Sequence, residues 1–293
     1  MKIAVTGANG YLGSAVASHL SGNHEIVELS RSSVSDEDSI AVGQDLFDLK
    51  SARLEGVDCV IHAAGVADSR ADKTVLDRGN VKLSRHVAQI AVQAKVNRLI
   101  NISFVKACGE GDTSPSARDC PETEYGKSKL AAEMAVNQVL MRSETQVQHI
   151  RLPLVYSRNS TNNFAKLLKL ARSWVPIPVN ALTGNRSYCS VLNLLSFLEV
   201  VLKAGGHGVV YVADKQPISL DELLSVLARV QGRRLIRVPF PTALLKASIR
   251  AVKPSLGAQL FTESIVDLSQ THNDYTEWSV ETTQACIERE FDV

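Results

Sequence analysis

The chain has 293 residues, 32 Lys+Arg against 31 Asp+Glu, a formal net charge of +1, 45% hydrophobic residues and 22% charged ones, the mix of a globular chain of one or two domains that can bury a sizeable core. Near-neutrality argues against nucleic acid or an anionic membrane as the main partner, because both call for clustered surplus Lys/Arg. The low aromatic content, 5%, argues against base-stacking platforms.

Lys2–Val5 is an apolar strand pattern that opens the chain and leaves no room for a signal peptide. No run of apolar residues is long enough to cross a membrane as a helix. Behind the strand, Val5-Thr6-Gly7-Ala8-Asn9-Gly10-Tyr11-Leu12-Gly13 spaces three glycines as GxxGxxG, and Leu12, Val16 and Leu20 then form one apolar helix face. Gly7 permits the tight turn from strand to helix, Gly10 lets the backbone approach a pyrophosphate, and Gly13 lets the helix pack closely on the strand. The helix N-terminus adds free N–H groups and a partial positive charge for the anion. This order points to dinucleotide binding; a loop that happens to be glycine-rich is the plain alternative. The second strand, Glu25–Leu29, runs into Ser30 and Arg31. A carboxylate there would bind the ribose 2′-hydroxyl of NAD, whereas a small hydroxyl beside a cation suits a 2′-phosphate and favours NADP(H). A solvated surface role for Arg31 is the competing explanation.

Strand patterns at Val57–Ala63 and Arg98–Ile102 bracket a helical stripe from Asn80 to Ala94, carried by Leu83, Val87, Ile90 and Ala94. After Glu124, Lys129–Met141 has the composition of a long helix. At its start Tyr125 and Lys129 fall one turn apart on one face. A phenol with a pKa of about 10 exchanges protons poorly at neutral pH unless its anion is stabilised. A neighbouring ammonium and a positive nicotinamide ring would stabilise it, allowing proton exchange with a carbonyl or alcohol oxygen during hydride transfer. Tyr and Lys four apart also occur as an ordinary surface pair; the glycine turn upstream gives this pair its chemical meaning. Val147–Leu152 reads as the next strand.

Beyond Tyr156 comes a polar loop, Ser157–Asn163, then a basic helix with Phe164, Leu167, Leu168 and Ala171, interrupted by Pro176, Pro178 and Gly184. Val191–Leu202 reads as a helix, Gly208–Val212 as a buried strand, and Ser219 with Glu222 as a capping box. Cys59, Cys108, Cys120, Cys189 and Cys286 are scattered without CxxC spacing, and the seven histidines show no ligand pattern. We therefore expect a reduced, cytoplasmic protein without disulfides or metal.

Taken in order, TGANGYLG (Thr6–Gly13), DLFD (Asp45–Asp48), HAAG (His62–Gly65), Asn80, YGKSK (Tyr125–Lys129) and RLPLVY (Arg151–Tyr156) resemble the extended short-chain dehydrogenases/reductases, and among these the NAD-dependent epimerase/dehydratase family. The pieces NNFAKLLKL (Asn162–Leu170), PIPV (Pro176–Val179), NRSYCSVLNLL (Asn185–Leu195) and VADKQPISLDEL (Val212–Leu223) resemble bacterial UDP-sugar 4-epimerases and 4-ketoreductases. The resemblance runs from Met1 to about Trp278 and implies an α/β fold, a doubly wound parallel sheet of the Rossmann type with a smaller mixed C-terminal region. Residues 1–156 and roughly 188–214 would bind the dinucleotide, and 157–187 with 215–293 the substrate. It further implies that the backbone from Asn9 through Gly10 and Tyr11 to Leu12 holds the pyrophosphate. Asp45 and Leu46 would border the adenine, Ala63, Ala64 and Gly65 line the cofactor cleft, and Asn80 sit behind the nicotinamide ribose. Tyr125 would be the acid/base and Lys129 the ribose ligand, with Pro153 and Val155 flanking the nicotinamide. Asn163 and Arg186 match positions that contact a substrate diphosphate, a role for which guanidinium is apt. A homodimer through the Tyr125–Met141 helix is also implied.

One departure stands out. The family places a Ser or Thr hydroxyl at the end of the strand before the active-site loop, and counting back from Gly109 that position falls on Phe104, not Ser103. Strand neighbours face opposite sides, so Ser103 could substitute only across a local bulge. Leu192 likewise replaces a commonly acidic residue. The motifs together imply hydride transfer at C4 of a UDP-sugar, as epimerase or ketoreductase; Phe104 motivates the alternative of a catalytically impaired NADP(H)-binding protein, and a small-ketone reductase is a third option.

Overall fold

The computed structural model describes residues 1–30, 39–41, 46–109, 113, 118–179, 184–239 and 263–291, with the backbone alone at 39–41, 178–179 and 239. Strands β1 (Lys2–Thr6), β2 (Glu25–Ser30), β3 (Ser39–Ala41), β4 (Cys59–His62), β5 (Arg98–Phe104), β6 (Gln146–Leu152) and β11 (Gly208–Tyr211) form one sheet. Their order is β11-β6-β5-β4-β1-β2-β3, with every pair parallel. Three small pairs stand outside it: β7 (Leu154–Tyr156) with β10 (Tyr188–Ser190), β8 (Ile177–Val179) with β13 (Arg237–Pro239), and β9 (Asn185–Arg186) with β12 (Ile218–Ser219).

Parallel strands need crossovers, and here helices supply them on both faces of the sheet. Helices α1 (Tyr11–Leu20) and α6 (Val191–Ala204) cover one face, packing Val16, Phe197, Leu198 and Val201 on Ile3, Val5, Ile100 and Ile150. Helices α3 (Leu83–Gln93) and α4 (Glu124–Leu140) cover the other, where Val87, Ala88, Val136 and Leu140 meet Ala4, Val60 and Leu99. Alternate residues of β1 thus serve opposite cores, and all four residues of β4 are buried. A third cluster joins α5 (Asn163–Arg172), α7 (Leu220–Val230) and α9 (Thr283–Glu290) through Phe164, Leu223, Leu227 and Ile287. Short helices α2 (Lys73–Leu76) and α8 (Ser269–Asp274) complete the described α-helices.

The expected strands and helices form with boundaries shifted by a few residues. Thr123 caps α4 by accepting the Gly126 N–H at 3.1 Å, so that helix starts at Glu124 and Tyr125 lies in its first turn. The Ser219–Glu222 capping box is present at the head of α7. One element is unexpected. Asp77–Lys82 winds as a π-helix ahead of α3, where the sequence shows only a continuous helical stripe. The sheet order reverses between β1 and β4, which opens a crevice beyond their carboxyl ends.

Candidate active site

The glycine turn caps that crevice. Gly7 takes φ +73°, the left-handed region, and an added Cβ would stand 2.9 Å from the Ala64 Cα. A Cβ on Gly13 would collide with the Gly7 carbonyl, so α1 lies directly against the turn. The Gly10 N–H donates to the Gly7 carbonyl at 2.7 Å, and Gly10 itself is exposed at the helix N-terminus. The turn is held from beneath by a buried relay. Thr6 Oγ1 lies 2.7 Å from His62 Nδ1, His62 Nε2 lies 3.0 Å from Ser84 Oγ, and the Ala64 N–H donates to Thr6 Oγ1 at 3.3 Å. Burial, helped by the Lys129 charge, pushes His62 down to about 3, so the imidazole is neutral and serves as a spacer between β1, β4 and α3.

Asn80 enters from the π-helical turn. It is 2% exposed, accepts the Val66 N–H at 2.8 Å and donates to the Val66 carbonyl at 3.3 Å and to Ser128 Oγ at 3.0 Å. Ser128 in turn donates to the Tyr125 carbonyl at 2.8 Å, tying the loop after β4 to the head of α4. A Cβ on Gly65 would sit 2.9 Å from Asn80 Oδ1 and 3.5 Å from Lys129 Nζ, so only glycine lets the amide and the ammonium pack this closely against the loop after β4. The glycine turn and a helix N-terminus without a side-chain cap fit a dinucleotide.

Tyr125 and Lys129 lie side by side, with Nζ 5.9 Å from the centroid of the phenol ring. The Tyr125 hydroxyl has no hydrogen-bond partner among the described residues. Burial pushes that phenol up to about 12 and Lys129 down to about 8, the latter opposed by the Glu133 carboxylate one turn further along α4. The Phe104 ring packs edge-on against Tyr125, centroids 5.5 Å apart at 62°. An apolar wall therefore stands beside the phenol where the family resemblance implies a hydroxyl.

Ser103 is not brought to Tyr125. β5 pairs with β6 without a bulge through Ser103↔Arg151 and Phe104↔Leu152, and the Ser103 hydroxyl donates to Glu133. The expectation of Ser103 as a catalytic hydroxyl is corrected on that geometry: strand alternation turns it into a buried charge network beneath the site. Arg151 donates there to Glu133 (Nη2–Oε2 2.7 Å) and, as a bidentate fork, to Asp119 (2.6 and 2.8 Å), and also to the Tyr211 hydroxyl at 3.0 Å. The Arg151 and Glu133 side chains are each 3% exposed. Burial alone would lower the guanidinium pKa, but the Asp119 and Glu133 carboxylates outweigh it and raise it. Asp119 belongs to the segment between β5 and α4, so the network fastens the approach to Tyr125 onto the sheet.

Leu46 is buried against the core of the α3/α4 face, Pro153 is buried, and Val155 pairs with Cys189 next to β6. Asn163 is exposed at the start of α5, where its Oδ1 accepts from Lys166 at 3.0 Å, and Arg186 is half-buried in β9. Arg31 and Asp45 lie outside the described residues. Tyr11, expected to contribute backbone, also donates its hydroxyl to Ser157 at 2.9 Å, with Ser160 Oγ at 3.0 Å, joining the glycine turn to the loop ahead of α5. Sequence reasoning missed Glu133, Arg151 and Asp119. The signal for one was present: Glu133 continues the i, i+4 series of Tyr125 and Lys129.

The chain matches the model of the NAD dependent epimerase/dehydratase family over residues 3–213. It is 26% identical over 260 residues to a UDP-glucose 4-epimerase of Vibrio cholerae, covering 82% of this chain and 79% of that one. It is also 26% identical over 273 residues, 85% of this chain and 79% of the other, to a 4-hydroxy-2-methyl-3-oxo-4-farnesyl-3,4-dihydroquinoline-1-oxide ketoreductase of Stigmatella aurantiaca. Its fold is similar to that of a UDP-glucuronic acid 4-epimerase from Bacillus cereus, solved with UDP-glucuronic acid and NAD, with a TM-score of 0.79 at 18% identity over 100% of this chain and 98% of that one. Among the described residues no helix is long and apolar enough to cross a membrane. A match spanning well over half of the sequence, on a sheet whose crevice gathers the glycine turn, Asn80, Tyr125 and Lys129, places the chain in the NAD dependent epimerase/dehydratase family.

Proposed function

We propose that the protein transfers hydride at C4 of a UDP-linked sugar, as a 4-epimerase or 4-ketoreductase, with Tyr125 as the acid/base. The gathering of Asn80 and Lys129 around Gly65, with Lys129 beside the Tyr125 ring, carries this reading. A nicotinamide bound there supplies the hydride acceptor and donor. Tyr125 exchanges the proton of the C4 oxygen, Lys129 binds the ribose hydroxyls and favours the phenolate, and Asn80 fixes the loop on which the ribose rests. Asn9 to Leu12 hold the pyrophosphate, Leu46 and Asp45 border the adenine, and Ala63, Ala64, Pro153 and Val155 wall the cleft. Asn163 and Arg186 meet the substrate diphosphate, within a substrate region formed by 157–187 and 215–293. Ser30 followed by Arg31 favours NADP(H) within an NAD-dependent family. Met134 in α4 and Met141 at its C-terminal cap, 63% and 77% exposed, support a homodimer through that helix. The test is a titration of the purified protein with NADPH and NADH, followed by NMR of products from a panel of UDP-sugars. Tighter NADPH binding and a changed C4 centre are expected; binding of neither dinucleotide would refute the proposal.

A second reading has one observation in its favour. Phe104 against Tyr125 removes a hydrogen-bond donor and narrows the site, which suits an impaired enzyme or a reductase of a smaller or more apolar ketone; one relative is named as a ketoreductase of a farnesylated quinoline oxide. Phe104→Ser separates the two. Raised UDP-sugar turnover, about 10-fold or more for a recovered hydrogen bond to the reacting oxygen, marks the wild-type site as impaired for sugars. Lowered turnover marks Phe104 as part of a working site.

A further inference from the structure

We infer that a cationic, apolar face on the C-terminal side of the molecule docks the protein on an anionic phospholipid surface. Two segments build this face. After α5 ends, the Ser173 hydroxyl accepts the Val175 N–H at 3.3 Å, and this turn holds Trp174 70% and Val175 54% exposed. Alongside runs the chain that leaves α7, with Ile236 39% exposed. The two are stitched together: the Ile177 N–H donates to the Ile236 carbonyl at 2.8 Å, Gln231 Nε2 donates to the Leu168 carbonyl at 3.4 Å, and the Arg233 guanidinium lies 4.9 Å from the Trp174 ring centroid.

Charge selects the occupant. Residues 163–184 and 229–239 contain seven Lys and Arg and no Asp or Glu, in a chain whose totals nearly balance. The net charge of +1, which by itself argues against an anionic surface, averages over this segregation. Arg229 and Arg237 are paired with Glu288 and Asp221 from other segments. Arg172 and Arg234 have no acidic partner among the described residues, and Arg233 rests on Trp174. An acidic protein or a nucleic acid would use the cations and leave Val175 and Ile236 in water. A bilayer interface uses both: Trp and small apolar side chains enter at headgroup depth while Arg meets the phosphates. The inference does not depend on the reaction proposed above.

The test uses the full chain with vesicles of phosphatidylcholine containing about 30% phosphatidylglycerol, against phosphatidylcholine alone, read by sedimentation and tryptophan emission. The chain has two tryptophans, and Trp278 is 4% exposed, so a blue shift reports Trp174. Binding to the anionic vesicles alone is expected, with a blue shift and with release at about 0.5 M salt. Arg233→Gln with Arg234→Gln should weaken partitioning about 30-fold, and Trp174→Ser should weaken it and abolish the shift, both with unchanged melting. Equal binding to the two vesicle types, no binding to either, or partitioning indifferent to these substitutions would overturn the inference. So would a Trp174-dependent self-association without vesicles, which would assign the face to a second copy of the chain.

Discussion

Tyr125→Phe should cut kcat by about 10³-fold, the scale of a lost general acid/base, while the dinucleotide Kd and the melting temperature stay where they are. The separation of effects follows from the geometry. The Tyr125 hydroxyl holds no hydrogen bond to the described residues, so its loss breaks no contact, and the ring retains its edge-on packing against Phe104. The phenol, pushed up to about 12 by burial, is protonated throughout the neutral range and ready to donate to a carbonyl oxygen. Lys129, pushed down to about 8, carries its charge below that pH and loses it above. Activity should accordingly fall on the alkaline side of about pH 8, and Lys129→Arg, whose guanidinium does not deprotonate, should remove that limb. Steady-state kinetics from pH 6 to 10 with dinucleotide titrations check these outcomes. Undiminished turnover in Tyr125→Phe would refute the assigned chemistry.

The largest structural effect is expected at Arg151. Arg151→Met takes the guanidinium from Glu133, 3% exposed, leaving that buried carboxylate with the Ser103 hydroxyl and the Lys129 charge one turn away, and releases Asp119 from the sheet. Removing one partner of such a pair costs about 3–5 kcal/mol, equivalent to a fall in melting temperature of roughly 5–8 °C for a chain of this size. Adding Glu133→Leu to Arg151→Met should recover much of that loss, because apolar residues of similar volume replace buried ion pairs at little cost. Calorimetry of the two variants decides the matter: equal instability in single and double variants would assign the loss to packing, not to a stranded charge. Activity should fall in the single variant beyond its loss of folded fraction, since Asp119 lies in the segment leading to Tyr125.

What was legible in the sequence followed local rules. The period of β1, β4 and β6, the stripe Leu12–Val16–Leu20 and the glycine spacing each report contacts made within a few residues, and these elements form near the expected positions. The Tyr125–Lys129 pair was legible for the same reason, as two residues on one helix face. The relay from Thr6 through His62 to Ser84 was hidden, because it joins three elements 22 to 56 residues apart. The Glu133–Arg151–Asp119 network was hidden too: a carboxylate on a helix face is buried here only because partners arrive from β5, β6 and the segment after β5. Asn80 was placed by resemblance, but its grip on Val66 depends on a π-helical turn that side-chain periodicity does not encode. Phe104 was the reverse case. Its position was countable from Gly109, while only the folded strand shows the ring lying against Tyr125.

The central claim, hydride transfer at C4 of a UDP-sugar with Tyr125 handling the proton, is tested most directly with UDP-glucose deuterated at C4. Wild-type protein incubated with this substrate should return product that keeps deuterium at C4, or dinucleotide that has gained it, and Tyr125→Phe should do neither. Deuterium lost to solvent from C4, or a label that stays in unchanged substrate while another ketone is turned over, would contradict it.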